Sequence, residues 1–188
     1  MKKLVLGVGS AILLLWVYDY FIGSEPTEYA GDNSEPLYQP LLDLGETLKN
    51  NAFGTPYDDL IYSSAETYGI PPTVLYNLLR AESAFRPEII DGRRRSRTGA
   101  LGIAQFMPAT ALEEMGSVEA ALDPLQAIPA AARYLRKLQN SFGGDLTKAV
   151  AAYNWGIGNV KRKSLARAPE ETVNYVFKIL GVNLNGTS

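Results

Sequence analysis

Pro71-Pro72-Thr-Val-Leu-Tyr-Asn-Leu-Leu-Arg-Ala-Glu82-Ser83 reads as one amphipathic helix. Proline at its opening suits the first turn, where a missing N–H costs nothing. Leu75, Leu78, Leu79 and Glu82 recur at helical spacing and share a face. The helix thus carries its only acid on its apolar stripe, at its C-terminal end. Burial and the negative end of the helix dipole would both raise that carboxyl's pKa, which is what a general acid needs near neutral pH. Read alone, the same residue fits a frayed, solvated helix end better. Working outward, the pattern stays helical. Asp58–Tyr68 forms a helix stopped by Gly69, and Pro108–Met115 a short one. A long helix starts at Asp123-Pro124 and runs to about Phe142, where Gly143-Gly144 breaks it. Asp145 caps another, to about Trp155, and residues 169–180 form the last. The polar stretch 87–98 is expected to be a loop or a small hairpin. The expected fold is therefore mainly α, with about six helices.

Composition removes several chemistries. The 188 residues contain no cysteine and no histidine, at a net charge of −2. Disulfides, thiolate or imidazole metal sites and a Ser-His-Asp triad are excluded, so acid–base work falls to Asp, Glu, Lys or Tyr. Residues 1–54 carry a net charge of −4 and residues 55–188 one of +2, leaving a mildly basic body. That excess is too small to indicate nucleic-acid binding.

Three further segments bear polar groups suited to a ligand. In Gly99-Ala-Leu-Gly-Ile-Ala-Gln-Phe-Met-Pro108 two glycines allow close backbone approach, and Gln105 offers a neutral donor and acceptor. A turn leading into a helix explains it too. In Ala151-Ala-Tyr-Asn-Trp-Gly156, Asn154 and Trp155 lie off the buried stripe that includes Tyr153. They suit a sugar, or equally a cap and a surface aromatic. In Glu171-Thr-Val-Asn-Tyr175-Val176, Tyr175 follows Glu171 by one helical turn, and a buried tyrosine hydroxyl requires a partner such as a carboxyl.

Taken in order, Glu82-Ser83, the Gly99–Pro108 segment, Ala152-Tyr-Asn-Trp-Gly156 and Glu171-Thr-x-x-Tyr175-Val176 resemble the motifs of the SLT-domain lytic transglycosylases, over about residues 56–180. Trp155 departs from the small residue that the family often has, and the Arg93-Arg-Arg-Ser-Arg97 run is unusually charged. That run reads first as a solvated loop, with a polyanion site as the alternative. The resemblance implies a lysozyme-like α domain that cuts the bond between N-acetylmuramic acid and N-acetylglucosamine in peptidoglycan. Glu82 would be the catalytic acid and then the base that closes a 1,6-anhydro ring. Ser83, Gln105, Met107, Tyr153 and Asn154 would line the cleft, and Tyr175 would hold Glu82. No metal, cofactor or nucleic acid is implied. Two other readings stay open: a hydrolase similar to goose-type lysozymes, and a non-catalytic glycan-binding or structural protein on the same fold.

Residues 1–23 are expected to be a retained membrane anchor, with residues 4–22 in the membrane. Lys2 and Lys3 precede an apolar run, charge-free over residues 4–18, that ends among aromatics and lacks a good cleavage site. Residues 24–54 read as an acidic, proline-containing linker with a short helix at 41–49, and residues 55–188 as the catalytic domain. The charge asymmetry places that domain outside the cytoplasm or in a virion membrane. A larger virion or secretion assembly is an expected partner.

Overall fold

The protein is represented by a computed structural model that describes residues 53–94 and 96–184. The expected anchor, most of the linker with its short helix, and Arg95 lie outside the described residues.

The described chain is almost wholly helical: α1 (Asp58–Tyr68), α2 (Pro72–Ser83), α3 (Pro87–Ile90), α4 (Pro108–Met115), α5 (Pro124–Ser141), α6 (Leu146–Trp155), α7 (Ile157–Arg162) and α8 (Glu170–Leu180). Two 3₁₀ turns, Glu119–Leu122 and Leu165–Arg167, sit between them. Among the described residues no helix is long and apolar enough to cross a membrane.

The starts and stops follow the local chemistry read from the sequence. Asp123 Oδ1 accepts from Leu125 N at 2.9 Å to open α5, and Asp145 Oδ1 accepts from Lys148 N at 2.9 Å to open α6. Gly69, Gly116 and Gly181 close α1, α4 and α8 in the left-handed region. Helix α5 runs through the middle and packs on α1 and α6, while α8 packs on α6 and α2. Ile128, Leu135 and Leu138 of α5 meet Leu75, Leu78 and Leu79 of α2 in a core of buried aliphatic side chains. Burying such side chains supplies about 1.5–3 kcal/mol each. Arg136 of α5 donates from Nε to the Tyr68 carbonyl and from Nη2 to that of Gly69, each at 2.6 Å, which satisfies the exposed C-terminal carbonyls of α1.

Two expectations need correction. Of the two readings for residues 87–98, the described residues follow the loop and not the hairpin, with one addition: proline at the first turn starts the short helix α3, and Asp91-Gly92 then turns the chain. The β-type pairing falls later, inside the Gly99–Pro108 segment, where Leu101 and Phe106 exchange both N–H···O bonds at 3.0 Å. The helix count was also low. Gly156, at φ 87°, ends α6 and opens α7 directly, so a pair of glycines that looks like a terminator is a corner between two helices.

Candidate active site

Helix α2 delivers Glu82 on its last turn, partly exposed at the end of a fully buried leucine row. Burial is the largest influence on its carboxyl and pushes the pKa from the ordinary 4.5 up to about 7. A hydrogen bond from Tyr175 pulls in the other direction, and the charge of Glu171 adds a smaller upward push. Tyr175 is itself buried on α8 and donates its hydroxyl to Glu82 Oε1 at 2.5 Å. Its partner is thus the acid 93 residues away rather than Glu171 one turn before it. Glu82 is the one residue among the described ones whose acid–base balance is set near neutrality by its surroundings.

The backbone around Glu82 is unusual. Three non-glycine residues among those described have positive φ: Ala84 at 50°, Phe85 at 55° and Gln105 at 46°. Gln105 lies inside the glycine-rich segment named from the sequence, and Ala84 and Phe85 directly follow the Glu82-Ser83 motif. Each such residue costs about 1–3 kcal/mol and persists only where the surroundings hold it. Ser83 is buried and takes part in that hold. Its Oγ donates to the Leu79 carbonyl at 3.0 Å and accepts from Phe85 N at 3.1 Å, so its hydroxyl is engaged by backbone.

Gln105 sits at the tip of the Leu101–Phe106 turn, with Nε2 donating to the Gly102 carbonyl at 2.8 Å. Its amide oxygen has no protein partner recorded among the described residues. Met107 follows at 45% exposed, a soft apolar side chain on the surface next to the turn. Tyr153 of α6 donates to the Ala104 carbonyl at 3.0 Å and packs edge-on against Tyr134 and near Phe106, which ties α6 to the same turn. Asn154 accepts at Oδ1 from buried Thr172 Oγ1 at 2.7 Å. That bond fixes the amide with its nitrogen free to donate elsewhere. Trp155 lies under Lys163, whose Nζ is 5.2 Å from the ring centroid.

The fold therefore links the sequence-selected residues through two ties, Glu82 with Tyr175 and Asn154 with Thr172, both made to α8. It joins Gln105, Met107 and Tyr153 around one turn. Thr172 escaped the sequence reading, although its position three residues before Tyr175 puts both on one face of α8. Ala84 and Phe85 escaped it as well, because no propensity rule anticipates two consecutive left-handed residues that are not glycine. Among the described residues no cluster of three or more acids suits a metal ion.

Residues 59–176 match the family model of the transglycosylase SLT domain. The chain belongs to this family. It is 34% identical over 139 residues to the peptidoglycan transglycosylase gp16 of Escherichia phage T7, covering 67% of this chain and 10% of that protein. The membrane-bound lytic murein transglycosylase C of Photorhabdus laumondii is 31% identical over 122 residues, covering 56% of this chain and 33% of that one. In the crystal structure of an inactive variant of lytic transglycosylase Slt from Pseudomonas aeruginosa, the fold recurs with TM-score 0.53 at 25% identity. That match covers 71% of this chain and 22% of that one. The chain thus spans from a tenth to a third of the length of these SLT-domain relatives.

The Glu82–Tyr175 pair makes a testable prediction. A general acid at Glu82 would have to be protonated before it reacts, so in that role kcat/KM should fall as pH rises through about 7. Tyr175→Phe removes the one influence that lowers the Glu82 pKa. The alkaline limb of the pH–rate profile should move to higher pH, while kcat drops about tenfold as the carboxyl loses its fixed orientation. An unmoved limb would separate Tyr175 from the titration of Glu82.

Proposed function

We propose that the chain is a peptidoglycan lytic transglycosylase in which Glu82 serves as both acid and base. The observation that carries this reading is the Glu82 carboxyl, pushed up to about 7 and held by Tyr175, inside a domain of this family. Protonated Glu82 gives its proton to the glycosidic oxygen between N-acetylmuramic acid and N-acetylglucosamine. The bond from C1 of the muramyl sugar to that oxygen breaks, and the glucosamine side leaves with a C4 hydroxyl. The muramyl acetamido oxygen takes up the electron deficiency at C1. The Glu82 carboxylate then removes the proton of the C6 hydroxyl, O6 bonds to C1, and the acetamido group is released. Glu82 ends protonated, as it began, and the product carries a 1,6-anhydro ring.

This scheme departs from the usual pair of glycosidase carboxylates. Two acids that could act as a second carboxylate have separate duties. Asp91 accepts from Arg93 N at 3.0 Å and pairs with Arg93 Nε at 2.6 Å, which keeps its pKa below the ordinary range, the backbone bond acting most. Asp123 caps α5. An internal hydroxyl already held at the site is then a better nucleophile than a water without a base. Gln105, Met107 and Asn154 contact the glycan, while Ser83 and Tyr153 shape the walls and Tyr175 orients Glu82. No metal or cofactor takes part. Incubation with purified peptidoglycan should release soluble muropeptides, and Asp91→Asn should release them at close to the unsubstituted rate. A large loss in Asp91→Asn would favour the hydrolase reading.

Residues 1–23 act as the membrane anchor, residues 24–54 as a spacer, and residues 55–188 as the catalytic unit on the extracytoplasmic side. The apolar run at 4–18 supports this, as does the membrane-bound name of the transglycosylase C relatives. The full chain should sediment with membranes, and removal of residues 1–23 should free it; soluble full-length protein would refute the anchor. Such tethering suits local opening of the wall by an infecting virion or a secretion or conjugation system.

A further inference from the structure

The two left-handed residues after Glu82 must be held by something, and part of the hold reaches outside the family-matched segment. Phe85 spends its N–H on Ser83 Oγ, so its own conformation depends on where its ring is packed. That ring stacks on Tyr76 of α2, centroids 5.4 Å apart, and lies 6.3 Å from that of Tyr57. Tyr76 stacks in turn on Phe53, 4.2 Å away and within 12° of parallel, and Phe53 stacks on Tyr62 of α1 at 5.2 Å. Three rings thus run from the turn beside Glu82 to Phe53, with Tyr57 beside the first and Tyr62 beside the last, and Phe53 lies upstream of residue 59, where the match to the family model begins.

Phe53 is fastened at its own end. The buried Asp58 carboxylate accepts from Phe53 N and Gly54 N at 2.9 Å and from Thr55 N at 3.0 Å, and the Thr55 hydroxyl also donates to it. A buried carboxylate with four donors on one short segment fixes that segment firmly against α1. The clamp sets Phe53, Phe53 sets Tyr76, and Tyr76 with Tyr57 sets Phe85. The last turn of α2 is a helix end that would otherwise fray, and a left-handed Phe85 without its stack has easier conformations to adopt.

We propose that Phe53 and Phe85, joined through Tyr76 and clamped by Asp58, are positioning residues for Glu82, so that the working catalytic unit extends back from residue 55 to Phe53. This rests on the transglycosylase reading for its kinetic consequences, though not for its structural ones. Neither phenylalanine touches the reacting atoms. Each acts by holding the turn that aims the Glu82 carboxyl, where a displacement of about 1 Å is enough to cost up to about a hundredfold in rate.

Phe53→Ala in the full-length chain is the test, because Phe53 is far along the chain from Glu82 and its loss leaves the aliphatic core intact. With soluble glycan strands as substrate, kcat should fall about tenfold with KM within about twofold, and Phe53→Tyr should restore most of it. Carbon NMR titration of the Glu82 carboxyl should show a midpoint below the value of about 7 as the carboxyl becomes better hydrated. Leu138→Ala, in the core of α5, controls for stability: it should lower the melting temperature without moving that midpoint. A folded Phe53→Ala protein with an unchanged Glu82 midpoint and kcat within twofold would overturn the proposal. If the unsubstituted chain cleaves no glycan, the transglycosylase reading fails and the NMR midpoint alone decides the positioning role.

Discussion

Glu82→Gln should abolish glycan cleavage, by about 10³-fold or more, while making the protein more stable at alkaline pH. Glutamine matches glutamate in size and still accepts from the Tyr175 hydroxyl through its amide oxygen. It carries no transferable proton, so both the protonation of the leaving oxygen and the later deprotonation are lost. The stability effect follows from linkage. The Glu82 pKa is about 7 in the folded chain against an ordinary 4.5. Between those values the folded state holds a proton that the unfolded state has released, so stability falls as pH rises through this window. Glutamine does not titrate and escapes that loss. At pH ~8 the variant should exceed the parent by about 2–3 kcal/mol, and near pH 4 the two should be about equal. Denaturant melts at the two pH values measure the difference. A folded Glu82→Gln protein that still cleaves at the parent's rate would remove Glu82 from the mechanism.

Gly102→Ala should be the most damaging small substitution in the glycine-rich segment. Gly102 has φ 72°, and a Cβ there would lie 1.6 Å from the Ala121 carbonyl oxygen. That oxygen belongs to the 3₁₀ turn Glu119–Leu122 just ahead of α5, so a backbone rather than a side chain would have to yield. Left-handed strain of about 1–2 kcal/mol adds to overpacking of about 1–3 kcal/mol, and the melting temperature should drop by roughly 10 °C. Gly99→Ala is the matched control. Gly99 has φ 85° with nothing within 4 Å of the added Cβ, so only the strain applies. Equal melting temperatures for the two variants would mean that the turn does not pack on Ala121 as described.

What could be read from the sequence was whatever depends on neighbours along the chain. The helix α2 and its acid-bearing face, the caps Asp123 and Asp145 and the stop at Gly69 are local effects, and they stand where the residues indicated. Glu82, Gln105, Asn154 and Tyr175 could be singled out because each interrupts or flanks an apolar pattern. Contacts across long separations were not legible. The meeting of the Tyr175 hydroxyl with Glu82 was implied by the family resemblance alone and not by the residue pattern, which offered Glu171, and Asn154 meets Thr172 unforeseen, because α8 packs over α2 and α6. Helix α3 was missed since four residues show no period, and α7 since Gly156 and Gly158 read as a terminator. The Phe53–Tyr76–Phe85 stack joins three segments whose aromatics look like scattered surface residues in one dimension.

The account stands or falls on what attacks C1 of the muramyl sugar. Purified peptidoglycan digested in heavy-oxygen water and followed by mass spectrometry answers this directly. If Glu82 works alone and the C6 hydroxyl closes the ring, the muramyl ends will be one water lighter than hydrolysis products and will carry no heavy oxygen. Free reducing ends labelled by the solvent would contradict the account and place a second base, and a water, at this site.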